Sequence, residues 1–313
     1  MKVLVTGANG FIGRVLLRRL LEVGLGGRPV DTVIASDLSL DGLPDVARLQ
    51  RVVGSIAEVG VLERALAEPV DTVFHLASLP GGAAEKNPLL GRRVNLDATN
   101  TLVDLLGRQK VAARLVFAST VAVYGDPLPD VVDESTPTLP VLSYGAHKLA
   151  AEILVADAAR RGAVQACSIR LPGVVARPGD GAGLMSAFMS QLLWKLRDGS
   201  PIALPVSACG TAWWISAHAC VANLLHAATL DPVLFGPRCV VQMPALHLEL
   251  QAVVDALCRA FGEDRRTLVR FEPQAIVQRL FATYPPLLTP RAEAIGFRHD
   301  CSADELVRRA LMP

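Results

Sequence analysis

The first half of the chain alternates between two hydrophobic rhythms. Short stretches that are apolar throughout, such as residues 3–5 and 33–35, recur along it. Between them apolar positions return every three to four residues, as at Val15, Leu16, Leu20 and Val23. A uniformly apolar run suits a strand buried on both faces, and the longer period suits an amphipathic helix. This predicts strands over 2–6, 31–36, 49–53, 71–77, 113–119 and 164–170. It predicts helices over 11–24, 56–67, 88–109 and 144–161, the last closed by Arg161-Gly162. Such alternation is the mark of the α/β class, a doubly wound parallel sheet with helices on both faces. The rhythm lapses after Pro172. Residues 179–183 then read as a loop and 184–197 as an amphipathic helix. The expected organisation is a first domain over 1–172 and a smaller, interleaved substrate-binding region over 173–313. Residues 212–230 are expected to return and complete the sheet.

The turn after the first strand carries a chemical signal. Thr6-Gly-Ala-Asn-Gly-Phe-Ile-Gly13 places glycines at 7, 10 and 13, between a strand and a helix. The first permits a tight turn, the second lets backbone amides approach a pyrophosphate, and the third lets the helix pack closely on the sheet. The helix N-terminus adds free N–H groups and a positive dipole end. This is a Rossmann-type dinucleotide cradle, with Gly7, Asn9, Gly10, Phe11, Ile12 and Gly13 against the cofactor. The second strand ends at Asp37. A carboxylate there accepts hydrogen bonds from the adenosine ribose and repels a 2′-phosphate. No Lys or Arg lies between Arg28 and Arg48 to welcome that phosphate. NAD, not NADP, is the cofactor expected.

A second constellation lies about 130 residues further on. Tyr144 and Lys148 sit one helical turn apart if a helix starts near 144. An ammonium beside a phenol stabilises the phenolate. The phenolate can then take a proton from a substrate alcohol as hydride leaves its carbon. Ser119 and Thr120 end the fifth strand, at the sheet edge where open α/β folds bind ligands. Either hydroxyl can bond the substrate oxygen. Ser78 and Glu85 follow the fourth strand, Glu85 as a candidate to orient a substrate hydroxyl. Asn95 reads either as a ligand or as a brace for nearby backbone. Arg177 is the cation best placed in sequence to meet a carboxylate. Trp213, Trp214 and His218 read either as pocket wall or as domain core. His147 reads as a variable helix position.

Composition narrows the function classes. The chain has 313 residues, with 31 Lys and Arg against 30 Asp and Glu. No basic stripe points to nucleic acid. Mean hydropathy is +0.37, yet no apolar run is long enough to span a bilayer, so no membrane is expected. The apolar excess fits a buried sheet and a homodimer interface. The six cysteines show neither close pairing nor metal spacing, so no metal is expected. They read as free thiols in a reducing compartment, and the first strand begins at residue 2, leaving no room for a signal peptide. A cytoplasmic enzyme is the expectation.

These pieces together resemble the extended short-chain dehydrogenase/reductases, the nucleotide-sugar epimerase/dehydratase superfamily. The resemblance rests on the glycine turn, Asp37, His75-Leu-Ala77, Asn95, Ser119-Thr-Val-Ala-Val-Tyr-Gly125, Tyr144 with Lys148, and Arg170-Leu-Pro-Gly173. It implies that Thr120, Tyr144 and Lys148 are the catalytic triad. It also implies that Leu76, Ala77, Leu171 and Gly173 line the cofactor. The chain departs from sugar-nucleotide enzymes in two respects. No Arg stands between Arg197 and Arg238, where such enzymes grip the diphosphate. Val121 and Ala122 also replace the acidic pair of dehydratases.

A narrower resemblance, to the D-erythronate dehydrogenases, runs through residues 75–91, 170–179, 204–206, 214–216, 221–230 and 291–297. It implies NAD-dependent oxidation of a secondary alcohol of a small sugar acid. Ala217-His218 stands where those relatives often carry a basic residue. Two alternatives share the fold: a nucleotide-sugar epimerase that retains NAD, and a non-enzymatic NAD-sensing protein. Proteins of the second kind usually lose the tyrosine and lysine that this chain keeps.

Overall fold

A computed structural model describes residues 1–179, 181 and 184–311. Along the chain come β1 (Lys2–Thr6), α1 (Phe11–Glu22), β2 (Thr32–Asp37), β3 (Leu49–Val53), α2 (Val59–Ala65), β4 (Thr72–His75) and α3 (Gly81–Lys86). Next are α4 (Pro88–Arg92), a π-turn (Arg93–Asp97), α5 (Ala98–Leu106), β5 (Arg114–Thr120), α6 (Ser143–Arg160) and β6 (Gln165–Leu171). The remainder holds β7 (Gly173–Val175), α7 (Ala187–Arg197), β8 (Ile202–Leu204), β9 (Thr211–Ser216), α8 (Ala217–Thr229), β10 (Val240–Gln242) and β11 (Leu246–Glu249). It closes with α9 (Leu250–Phe261), β12 (Val269–Phe271), α10 (Ala275–Phe281), α11 (Pro290–Ala294) and α12 (Ala303–Leu311).

The chain divides into two compact units. Unit 1 comprises residues 1–123, 138–170 and 221–242; unit 2 comprises 124–137, 171–220 and 243–313. Unit 1 is built on a seven-stranded parallel sheet in the order β10-β6-β5-β4-β1-β2-β3. The α/β class expected from the hydrophobic rhythm is the class observed. Strand order reverses between β1 and β4, and ligands of such sheets bind beyond the strand carboxyl ends at that switch point. The strands are buried on both faces, which is why they read as unbroken apolar runs. One face packs Leu62, Leu102, Leu106, Ala151 and Val155 of the helices against Leu4, Val73, Leu115 and Phe117.

One expectation is refined and one corrected. The helix expected over 88–109 runs from Pro88 to Leu106, with its pitch changed midway. It opens into a π-turn at 93–97, because the Asn95 side chain is drawn out of register to bond a distant backbone, as described below. The return to the main sheet is made by β10, which pairs in parallel with β6, and not by residues 212–230. In unit 2, β9 instead lies between β11 and β7 in a separate three-stranded sheet. Its indoles explain the preference: Trp213 and Trp214 are both fully buried, and their Nε1 atoms donate to Pro285 O (2.7 Å) and Leu248 O (3.3 Å). Leu192, Leu193, Trp214, Val253 and Leu257 form the core of that unit. Among the described residues no helix is long and apolar enough to cross a membrane.

Candidate active site

The cradle is shaped by contacts too close for side chains. Gly7 has φ +69°, and a Cβ there would meet Ala77 N at 2.7 Å; one on Gly13 would meet Gly7 O at 2.1 Å. The strand-to-helix turn, the start of α1 and the chain leaving β4 are therefore packed backbone to backbone. The first turn of α1 carries no acid, and its N-cap, Gly10, makes no side-chain cap, so its leading amides are left for an anion. The Asn9 Oδ1 atom is buried without a partner. These features fit a dinucleotide pyrophosphate. Asp37 stands beside them, its Oδ2 accepting from Asn9 N (2.8 Å) and its Oδ1 from Leu38 N (2.7 Å). The sequence window that held no cation misses two that arrive from elsewhere. Arg14 bonds Asn9 O and Asp41 O, and Arg51 bonds the carbonyls of Leu40, Leu43 and Pro44.

Behind the cradle runs a buried polar chain. Ala77 N donates to Thr6 Oγ1 (3.4 Å), and Thr6 Oγ1 lies 2.6 Å from His75 Nδ1. His75 Nε2 lies 2.9 Å from Thr99 Oγ1, whose own proton goes to Asn95 O (3.0 Å). Thr99 thus receives from Nε2, and Thr6 donates to Nδ1, which makes His75 the neutral Nε2–H tautomer. Burial, with Lys148 nearby, pushes its pKa down to about 3. The Asn95 amide then clamps Leu79, accepting from its N–H (2.7 Å) and donating to its carbonyl (3.0 Å). Asn95 is the backbone brace, not a ligand. The chain from Ala77 through Ser78 to Leu79, which carries the candidate cofactor and substrate residues after β4, is held from below at both ends.

The helix α6 presents the tyrosine and lysine. Its first turn presses on the chain after β5: a Cβ on Gly145 would meet Ala122 O at 2.4 Å. On the same segment, Thr120 Oγ1 accepts from Ala122 N (3.2 Å). The start of α3 meets the other side of Tyr144, where a Cβ on Gly81 would stand 3.8 Å from the tyrosine Cβ. Lys148 is 1% exposed. Its Nζ donates to Ala118 O (2.8 Å) and lies 4.5 Å from the Phe117 ring centre and 5.9 Å from that of Tyr144. Burial lowers its pKa to about 7, with Glu152 pulling the other way.

Several expected substrate contacts are placed differently. Ser119 is buried, and its hydroxyl donates to Glu152; adjacent strand residues face opposite ways, so only Thr120 of the two is left to the site. The Glu85 carboxylate accepts from Ser143 N, so it caps the first turn of α6 instead of standing free. In unit 2, Gly173 is pressed against Trp213 O, 2.7 Å from where its Cβ would be. Trp213 is core, edge-on to Tyr124 and 4.6 Å from the ring of Tyr284. His218 Nδ1 bonds Arg309 O (2.8 Å), a packing role. The backbone of Arg177 is gripped by α7, its N–H donating to Ser190 Oγ (3.0 Å) and its carbonyl accepting from Trp194 Nε1 (2.8 Å). Leu171 ends β6. Unit 2 also holds a cavity that sequence reasoning missed, lined by residues 125–130 together with Arg279, Leu280, Thr283, Tyr284 and Pro285. Asp126 and Arg279 pair across it at 3.6 Å. No local pattern announces it.

A glycine cradle at a sheet switch point, with a tyrosine and a buried lysine on one helix face, defines an NAD-dependent oxidoreductase. The chain belongs to the NAD-dependent epimerase/dehydratase family, whose model matches residues 3–228. It is 36% identical over 315 residues to a D-erythronate dehydrogenase of Cupriavidus necator, covering 98% of this chain and 97% of that protein. It is 27% identical over 311 residues to a D-erythronate dehydrogenase of Haemophilus influenzae, covering 99% and 98%. A solved structure described as a nucleoside-diphosphate-sugar epimerase from Agrobacterium tumefaciens superposes with a TM-score of 0.92 at 32% identity, covering 98% of this chain and 92% of that one.

The geometry makes two predictions. Alanine in place of a helical glycine normally stabilises by about 1 kcal/mol. Gly145→Ala should instead cost about 1–3 kcal/mol in urea unfolding and lower kcat, because the added methyl meets a backbone oxygen. A stabilised, fully active variant would contradict the close approach. For His75, the folded pKa lies below the ordinary value, so the unfolded chain takes up the proton first as pH falls. The stability that neutral His75 contributes is present above about pH 6.5 and is lost toward pH 3, at up to about 1.4 kcal/mol per unit. The stability gap between the parent and His75→Gln should narrow by about 1–2 kcal/mol from pH 7 to pH 5. A gap that does not change with pH would rule out a neutral His75.

Proposed function

We propose that the protein oxidises a secondary alcohol of a small sugar acid, D-erythronate or a close analogue, to the keto acid. NAD, held by the glycine turn, would supply the hydride acceptor. The similarity to D-erythronate dehydrogenases over nearly the whole of both chains carries this reading. The absence of any Arg between Arg197 and Arg238 supports it, since a desolvated diphosphate needs cationic partners.

Each residue has a proposed part. The amides around Gly10 and the α1 N-terminus hold the pyrophosphate, and Asp37 meets the adenosine ribose. Thr120 donates to or accepts from the substrate oxygen. Tyr144, as phenolate, receives the hydroxyl proton, so that the carbon–hydrogen bond breaks with its electron pair leaving as hydride. Lys148 supplies the positive charge that makes the phenolate accessible near neutral pH. Leu76, Ala77 and Ser78 line the path to the reacting carbon. Arg177, fixed at its backbone by α7, is proposed to pair with the carboxylate.

The similarity to a solved structure described as an epimerase keeps a second reading open. A sugar-nucleotide epimerase would return the hydride and release no NADH. Four-carbon sugar acids mixed with NAD should give stoichiometric NADH, and Tyr144→Phe should lose roughly 10²–10⁴ in kcat while still binding NAD. Binding of UDP-sugars without oxidation of any four- or five-carbon acid would favour the epimerase.

The protein is further proposed to be a homodimer. Leu89 and Ile153 are 77% and 63% exposed on α4 and α6, with Leu90 and Leu154 beside them in sequence also open. Exposed apolar side chains on two helices that pack on each other suit a two-fold contact. Light scattering at micromolar concentration should give twice the 33.3 kDa chain mass. A monomer would refute the dimer without touching the chemistry.

A further inference from the structure

Residues 144, 148 and 152 recur at intervals of four, so Tyr144, Lys148 and Glu152 share one face of α6. Two turns below the phenol, that face carries a charged pair with almost no access to water. Glu152 and Arg170 are 3% and 7% exposed at their side chains. Oε1 of Glu152 accepts from Arg170 Nε (3.0 Å) and Oε2 from Nη2 (2.8 Å), a bidentate fork, and Oε1 also accepts the Ser119 proton. A buried ion pair of this kind rarely stabilises a fold more than apolar side chains of the same volume. Its retention beneath the proposed catalytic helix calls for another reason.

We propose that Glu152, steadied by Arg170 and Ser119, is a positioning residue that keeps the one proton shared by Tyr144 and Lys148 on the lysine. The inference rests on the roles proposed above for those two residues. A pair that has lost one proton has two forms, phenolate with ammonium and phenol with amine. Only the first can take a proton from substrate. A carboxylate favours the form whose positive charge lies nearer to it. Along the helix axis Glu152 stands about 6 Å from position 148 and about 12 Å from position 144. Its charge therefore acts on the ammonium more strongly than on the phenolate.

The other groups around Lys148 leave this task to Glu152. From β4 it faces His75, which is neutral. From β5 it meets the Ala118 carbonyl and the Phe117 ring, both without formal charge. Arg170 on β6 is positive but spends its fork on Glu152. Burial works against the ammonium, and Glu152 opposes burial.

The test is Glu152→Gln, which keeps the shape and an acceptor oxygen. Titrating tyrosinate absorbance, with Tyr144→Phe subtracted, reads the Tyr144 phenolate directly and needs no substrate. The phenolate fraction near neutral pH should fall about 10-fold, and the plateau of kcat with it. The midpoint of the acid limb should move to lower pH by about one unit, because the lysine now releases the shared proton first. Glu152→Asp, which keeps the charge, should restore the midpoint. Should Glu152→Gln fail to fold, the double variant Glu152→Met with Arg170→Met removes both charges together and should move the midpoint and the phenolate fraction in the same direction by a smaller amount, since the opposing Arg170 charge goes too. An unmoved midpoint and an unchanged phenolate fraction in a folded variant would overturn the inference and leave Glu152 as packing alone. Full activity in Tyr144→Phe would instead remove the proposed function on which it rests.

Discussion

The ammonium of Lys148 is carried by its methylene stem into a place that water hardly reaches. A lone cation there would cost several kcal/mol, and the neighbourhood is arranged around that cost. The Ala118 carbonyl accepts its proton, and the face of Phe117 lies beneath it. Glu152 answers its charge from the next helical turn. His75 stacks on the same Phe117 ring and is neutral, so it adds no second positive charge. Of these groups β4 contributes one and β5 two, which ties the helix to the sheet by chemistry as well as by packing.

The site is otherwise assembled from backbone held at close range. The segment after β4 is fixed by Asn95 below it and by the Thr6–His75–Thr99 chain behind it. The segment after β5 is fixed by the approach of Gly145. Both are turns that would wander if left to themselves. Catalytic geometry tolerates little such wandering, since small displacements of reacting groups are costly.

Much of unit 1 was legible in the sequence, for a physical reason. A parallel strand buried on both faces has no polar positions, so it stands out against amphipathic helices of a different period. The π-turn within the helix over 88–109 was not legible, because it goes with a bond from Asn95 to Leu79, outside any local window. The fate of Ser119 was readable in principle. Strand alternation sends it and Thr120 to opposite faces, but which face holds a buried carboxylate depends on α6. The interval of four that links Tyr144, Lys148 and Glu152 is present in the sequence, and only the burial of Arg170 opposite gives it meaning. Unit 2 was least legible. Its strands are three to six residues long and its sheets two- and three-stranded, too short for a period to declare itself.

Asp37 bears on how such a protein could change its cofactor. The carboxylate proposed to meet the adenosine ribose also accepts the amide of Asn9, inside the turn proposed to receive the pyrophosphate. Selectivity at one end of the dinucleotide and the shape of the cradle at the other are therefore written in a single side chain. Exchanging it for a residue that welcomes a phosphate would leave the Asn9 amide without its acceptor. A lineage drifting toward the phosphorylated cofactor would have to rebuild the turn in the same step, and that coupling makes the choice of nucleotide conservative.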